Sequence, residues 1–465
     1  MQSIFSSSSK AFKSKSTSSY QVQEDFICYF WQGYNGMRQG YLVSREQYEK
    51  SSEDQTIAAP IISLFLPALK DATPANLSYP NPSVNLKIVP NKATYHKPGG
   101  FNHYSGMVFC NFFNKDGTIF QHCPRYQLES ALNQLEIKYG LEIKVGFELE
   151  FSILNKDLTP IETNCFANID STLQYYSWLT AIASQMKQQD IKVDCIHKES
   201  AKGQFEFVLG YKDAITAVDD YHIARQIIKN CISQTVGNSG EKSKVSYLPK
   251  ADEEDLGNGL HANLSIWKDG VNILGDKAKE YGLSNEAESF IAGILQHYDA
   301  LIHFLAPSPN SLKRFVPDFC SGIYKIWGIE NREAPIRVIE SDKPGDNINH
   351  FEIKSLDHTA NQYLALAAIV VAGMQGLDNK LTLPSPFNGD PHDLTPEQRD
   401  EKGIQLLPNT FEERKKALQS KEAEPFVQFF GQELIDNILS FQDIDFKACE
   451  NLSLSEQVKF LVDKY

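Results

Sequence analysis

Val145-Gly146-Phe147-Glu148-Leu149-Glu150-Phe151 is the stretch on which the fold of this chain turns. Around it, Ile143, Val145, Phe147, Leu149, Phe151 and Ile153 alternate with Lys144, Gly146, Glu148, Glu150 and Ser152. A period of two puts the apolar set on one face of a strand and both glutamates on the other. Taken alone, the alternation fits a half-buried antiparallel strand with a solvated polar face. It also fits a carboxylate pair arranged for a divalent cation, because like charges this close repel unless a cation or proton lies between them.

Three further stretches repeat the one-sided pattern. Glu206 shares a face with Gln204 in 203–209. His261, Asn263 and Ser265 share one in 259–265, and His350, Glu352 and Lys354 share one in 350–354. Four such strands predict one curved sheet lining one polar site. A lone His261 reads more readily as a satisfied core or surface histidine. The set of glutamates with a histidine suits a harder divalent ion such as Mg²⁺ or Mn²⁺. Lys313, Arg314, Arg332 and Arg337 frame the stretch Tyr324 to Trp327. Each alone fits a solvated or salt-bridged surface, yet arginines spaced across strands can also grip phosphate bidentately. Metal-type carboxylates with clustered arginines point to phosphoryl transfer.

The bulk of the chain narrows the classes. Its 465 residues allow two or three domains, and 42% hydrophobic content is ordinary for a globular protein. A net charge of −14 argues against a general nucleic-acid binder. The eight cysteines form no CxxC pair, which disfavours a structural zinc site and favours a reducing, cytoplasmic setting. The longest apolar run, Leu364 to Met374, is too short for a bilayer, which needs about 20 residues of helix. No membrane partner is expected.

In chain order, residues 1–22 read as a Ser- and Lys-rich disordered tail, 23–125 as a small β-rich domain, and 126–465 as the unit carrying the polar strands. Within the last, a helix is expected over 126–141 with Leu128, Leu132, Leu135 and Ile137 on or near one stripe. Others are expected over 171–189, 213–236 and 360–376. One long helix is expected from Ser284 until Pro307 stops it.

These residues resemble the glutamine synthetase superfamily of ATP-dependent γ-glutamyl ligases. That family's G-x-E-x-E-F strand is matched by Gly146 to Phe151, and its E-x₄-Q-x-E segment by Glu199 to Glu206. Its G-x-G-x-H strand is matched by Gly257 to His261, and its P-x-x-N-S-x-K-R by Pro307 to Arg314. N-R-x₄-R falls at Asn331 to Arg337, and the closing run at Glu352 to Tyr363. Six motifs in order make the resemblance specific over 126–378. It implies an α+β fold: an N-terminal β-grasp-like domain, then a catalytic domain with a curved antiparallel sheet flanked by helices.

The resemblance also implies roles. Glu150, Glu199 and Glu206 match ligands of a metal near the γ-carboxylate; Glu148, His261 and Glu352 match ligands of a metal on the ATP phosphates. About two or three Mg²⁺ or Mn²⁺ ions per site are implied, with ATP as substrate. Arg332 and Arg337 match the phosphoryl clamp, with Arg314 as a third catalytic cation. Tyr211, Asn263 and Ser265 match the nucleotide pocket. Gly257, Gly259, Arg314, Lys354 and Cys320 match the substrate-binding set. The implied partners are an amino acid, glutamate by resemblance, an amine, and further copies of the chain in a ring with sites between subunits.

The departures from the pattern bear on the acceptor. True glutamine synthetases carry V-P-G-Y-E after K-R, where the glutamate deprotonates and holds ammonium; this chain reads Val316-Pro317-Asp318-Phe319-Cys320. Leu256 stands for an asparagine, Asn263 for a second histidine, and His350 and Lys354 for arginines. The implied activity is a γ-glutamyl ligase whose acceptor is an amine other than ammonia. The alternatives are a true glutamine synthetase, or a retired ligase kept as a structural or binding protein. A related phosphagen-kinase-like enzyme is disfavoured by the motif order.

Overall fold

The computed structural model describes residues 26–52, 56–68, 84–97, 106–234, 242–341 and 347–465. The expected tail, 1–22, lies outside them. Five strands build the N-terminal sheet: β1 (Phe26–Gln32), β2 (Arg38–Ser44), β3 (Ile57–Pro60), β4 (Asn85–Pro90) and β5 (Met107–Phe113). Their order is β2-β1-β5-β4-β3, with β1 and β5 parallel at the centre and antiparallel pairs on either side. Helix α1 (Arg45–Lys50) follows β2. This is the β-grasp-like layout expected.

Helix α2 (Pro124–Tyr139) leads into the second unit. It buries Leu128, Ala131 and Leu135, while Ile137, expected near that stripe, is 86% exposed. At 3.6 residues per turn, two positions past Leu135 lie roughly 200° around the helix, on its far side. Strand β6 (Glu142–Leu154) carries the opening motif. Helices α3 (Ile169–Gln174) and α4 (Tyr176–Gln188) come next, then β7 (Val193–Lys198), β8 (Gln204–Leu209) and β9 (Lys212–Asp213). Helix α5 (Ala214–Gln234) precedes β10 (Lys244–Ser246), β11 (Leu260–Lys268) and β12 (Val271–Asn272). Helices α6 (Asn285–Gln296), α7 (Tyr298–Leu305) and α8 (Pro309–Arg314) lead to β13 (Trp327–Ile329), β14 (Ile336–Ile339) and β15 (His350–Ile353), and α9 (Gln362–Asn379) closes the unit. Further helices, the longest of them Gln432–Cys449, make up most of the remainder to Tyr465.

The large sheet runs β13-β14-β15-β11-β6-β8-β7, with β9, β10 and β12 at its flanks. Every pair is antiparallel except β13 and β14, which run parallel. The apolar residues of β6 are buried, facing the helices α2 and α5. The glutamates face the opposite way, so the alternation read in the sequence is the division between core and site.

Helix α9 is apolar on nearly every side because α2 and α6 both pack on it. Asn361 caps its start, accepting from the Leu364 N–H at 3.1 Å. A Cβ at Gly376 would sit 1.9 Å from the Ser289 carbonyl oxygen, so the approach of α6 requires glycine there. The single helix expected from Ser284 is two helices. His297 joins them at φ −93° and ψ 10°, and its ring donates to the Glu422 carbonyl at 2.7 Å. Ser284 is the cap, as its position implied. The helix expected over 171–189 is likewise split, at Tyr175.

Two buried links fasten the N-terminal sheet to this unit. Gln32 donates to the Gln362 side chain at 2.8 Å and to the Ala360 carbonyl at 3.0 Å. Nearby, at the start of α2, Arg125 holds Asp219 through two nitrogens at 2.9 and 3.3 Å, and the Tyr363 hydroxyl adds a third bond to Asp219 at 2.6 Å.

Candidate active site

Cross-strand register assembles the site. Glu150 on β6 lies opposite Glu206 on β8, which lies opposite His197 on β7. Glu148 lies opposite His261 on β11, and Glu352 on β15 lies between Asn263 and Arg337 of its neighbours. Residues paired this way share a face, so one band of acids, imidazoles and an arginine crosses six strands. It borders a cleft of about 620 Å³ also lined by Glu199, Gly257, Arg314, Arg332 and Lys354. A larger cavity of about 750 Å³, behind the 315–323 loop, contains none of these carboxylates.

His261 is the hub. Its Nδ1 lies 3.0 Å from Glu352 and 3.2 Å from Glu148, and its Nε2 lies 3.6 Å from Glu150. Glu150 accepts from the Gly259 N–H at 2.7 Å and from the Gln204 amide at 3.1 Å. Asn263 donates to Glu148 at 2.9 Å, while its own carbonyl oxygen is buried without a partner among the described residues. On the other flank, His197 Nε2 is 3.2 Å from Glu206 and its Nδ1 is 3.7 Å from Glu199.

The charges explain each other. Burial raises the Glu206 carboxyl to about 7, with Glu148 and Glu150 adding to the shift. Burial also raises Glu199, helped by Glu150. Burial and Lys354 oppose a proton on His261, yet Glu150, Glu148 and Glu352 outweigh them and carry it up to about 10. The hydrogen bond to Glu206 lifts His197 to about 9 against burial. Glu352 is held well below its usual range, against its burial, by Lys354 at 2.9 Å and by His261. The band of carboxylates therefore draws positive charge to this face, a demand that a divalent cation would meet.

The donor chemistry fits such an ion. Glu148, Glu206 and His261 offer ligand atoms within 4.8 Å of one another, and so do His197, Glu199 and Glu206. Hard oxygens with imidazole nitrogen match Mg²⁺ or Mn²⁺, and the orphaned Asn263 oxygen adds a further acceptor.

The remaining expected residues divide. Arg332 is exposed at the cleft, and Arg337 is paired with Glu352 at 3.3 Å and Glu330 at 2.5 Å. Arg314 is buried and spends its guanidinium on the carbonyls of Lys354, Ser355 and Leu356 at 2.8–3.3 Å. Gly257 and Gly259 lie against Arg314, where an added Cβ would come within 3.3 Å of it. Ser265 shares the face of His261 further along β11, accepting from Trp267 at 2.8 Å, and Tyr211, 60% exposed, stands beside Trp267. Neither Tyr211 nor Ser265 lines the cleft itself.

Cys320 does line it, at φ +51°. Its N–H donates to Glu333 at 3.0 Å, and burial followed by Glu333 pushes its thiol up to about 11. At neutral pH it is an uncharged thiol with a carboxylate behind it.

Three neighbours were missed in the sequence. His197 has the same parity as Glu199, and Trp267 continues the series of His261, Asn263 and Ser265. Continuing the alternation two positions would have found both. Glu333 sits inside the N-R-x₄-R motif, with no periodic signal to mark it.

Residues 121–458 match the family model described as "Glutamine synthetase, catalytic domain". The fold and site thus define a ligase of the glutamine synthetase type. The chain belongs to the glutamine synthetase family. It is 31% identical over 359 residues to Type-1 glutamine synthetase 1 of Dictyostelium discoideum, covering 74% of this chain and 69% of that one. It is 30% identical over 305 residues to Gamma-glutamylpolyamine synthetase GlnA3 of Streptomyces coelicolor, covering 64% of each. Among solved structures, a "novel glutamine synthase homolog" superimposes with a TM-score of 0.81 at 21% identity, over 95% of this chain and 99% of the other. Among the described residues, no helix is long and apolar enough to cross a membrane.

Proposed function

We propose that this chain is an ATP-dependent γ-glutamyl ligase whose nitrogen acceptor is an amine other than ammonia. The observation that carries the reading is Cys320, an uncharged thiol in the wall of a cleft that keeps its full array of carboxylates and imidazoles. A thiol near 11 neither takes a proton from ammonium nor offers it a charge at neutral pH. The similarity to a γ-glutamylpolyamine synthetase supports the same class of acceptor.

The reaction has two steps. An oxygen of the glutamate γ-carboxylate forms a bond to the γ-phosphorus of ATP, and the bond to ADP breaks. The amine nitrogen then bonds to the acyl carbon, phosphate leaves, and the nitrogen loses a proton. On the family resemblance Glu148, His261 and Glu352 would hold one divalent cation, and Glu150, Glu199 and Glu206 another, with His197 beside Glu199 and Glu206. Such ions supply charge neutralisation to the phosphates. Arg332, exposed at the cleft, and Arg337, now paired with Glu352 and Glu330, would grip the phosphoryl group. Tyr211 and Trp267, with Asn263 and Ser265 beside them, offer a flat aromatic edge and polar groups to a nucleotide. Leu256 and Phe319 give the acceptor side apolar walls, which favour an amine with a carbon chain over ammonia.

The test is ADP formation with glutamate and Mg²⁺ across a panel of ammonia, monoamines and polyamines. At least one amine is expected to exceed ammonia. Ammonia as the best acceptor, or no turnover with any amine, would overturn the proposal.

A further inference from the structure

A second charged pocket lies between β2 of the N-terminal sheet and helix α5, with a cavity of about 360 Å³. None of its lining residues lines the catalytic cleft. Arg38, Arg225 and Lys229 converge on it, and Lys464 stands at its edge. Arg225 is only 2% exposed. One of its terminal nitrogens donates to the Tyr221 hydroxyl at 3.1 Å and to the His358 carbonyl at 3.3 Å. Arg38, half-buried, donates to the His222 carbonyl at 3.2 Å. The Nε of each arginine is buried without a partner among the described residues.

No described carboxylate forms an ion pair with any of the three cations. The one carboxylate side chain lining the pocket, Asp463, pairs with Lys244 at 2.9 Å and only partly offsets the charge around Lys229. His222, between the arginines, is fully buried and neutral. The cations consequently repel. Burial, then Arg225, brings Arg38 down to about 10; burial, Arg225 and Arg38 bring Lys229 down to about 8. A buried guanidinium costs free energy unless an opposite charge accompanies it. Two guanidinium groups and an ammonium around one cavity match the donor geometry of a phosphate group.

We propose that Arg38, Arg225 and Lys229 form an oxyanion site, separate from the catalytic cleft, that binds inorganic phosphate or the phosphate group of a small metabolite. The arginine at its base is joined to the catalytic sheet. Arg225 donates to the Tyr221 hydroxyl, which lies 3.0 Å from His358 Nδ1, and His358 Nε2 donates to the Glu150 carbonyl at 2.8 Å.

Calorimetric titration of the full chain tests this. The cleft arginines are first removed as Arg332→Gln/Arg337→Gln, so that phosphate bound there does not contribute. In this background inorganic phosphate and, in a parallel arm, glycerol 3-phosphate are titrated. Binding of one anion per chain is expected, weakened by at least about tenfold when Lys229→Gln is added. Arg38→Gln serves the same purpose should the Lys229 variant not fold. Tighter binding of phosphate assigns the site to the free ion, and tighter binding of the ester to a metabolite. Absence of binding up to about 10 mM, or undiminished binding in the added variant, would overturn the proposal.

Discussion

The protein contains two pockets of opposite charge imbalance, and they resolve it differently. The catalytic cleft gathers Glu148, Glu150, Glu199, Glu206 and Glu352, and answers them with His261, His197, Lys354 and Arg337 at 2.9–3.7 Å. The pocket beside α5 gathers Arg38, Arg225 and Lys229 and answers the two arginines with backbone carbonyls, a tyrosine hydroxyl and the rings of Phe30 and Tyr247, without an ion pair among the described residues. In the first, the carboxylates already have cationic partners, and a divalent cation would join them as a further counter-charge. In the second, no described carboxylate forms an ion pair with the three cations, and a bound oxyanion would supply the missing charge. Compensation that a cation can join marks a reaction site; compensation that is missing marks a binding site.

The comparison breaks most visibly at the hub of the cleft. Glu150→Ala or His261→Ala is expected to lower ATP turnover by at least about 10²-fold, measured as ADP release with glutamate and the best amine. Retention of near-normal turnover would remove these residues from the chemistry. His197→Ala is expected to have an intermediate effect, weakening Mn²⁺ affinity by about 10- to 100-fold in a titration of activity against the ion. An unchanged affinity would make His197 a proton partner of Glu206 only. The smallest effect belongs to the basic pocket. In phosphate-free buffer, Lys229→Gln relieves repulsion and is expected to raise the melting temperature by about 1–2 °C. A fall of that size would show that Lys229 already has a counter-charge.

The sequence carried the cleft and concealed the basic pocket, for one physical reason. Strand parity is local, so Glu148, Glu150, Glu206, His261 and Glu352 could each be assigned to a face from their neighbours alone. Register then brought them together, as the one-sided pattern implied. His197 lay one step beyond the same pattern. Arg38 and Arg225 meet only through packing of the N-terminal sheet on α5, and neither sits in a repeat that would mark it. The break at His297 was hidden for a similar reason. The apolar spacing continues through it, and the carbonyl that holds its ring comes from Glu422, far along the chain. Ile137 illustrates the converse, an apolar residue close to a helical stripe in sequence yet on the opposite side of the helix.

The claim on which the functional reading depends is the choice of acceptor at Cys320. The most direct measurement is a competition: glutamate, ATP and Mg²⁺ with equimolar ammonium and the preferred amine, products resolved by mass spectrometry, for the native chain and for Cys320→Glu. The native chain is predicted to yield chiefly the γ-glutamyl amide of the amine, with the share of glutamine rising in the variant. Glutamine as the main product of the native chain would contradict the account.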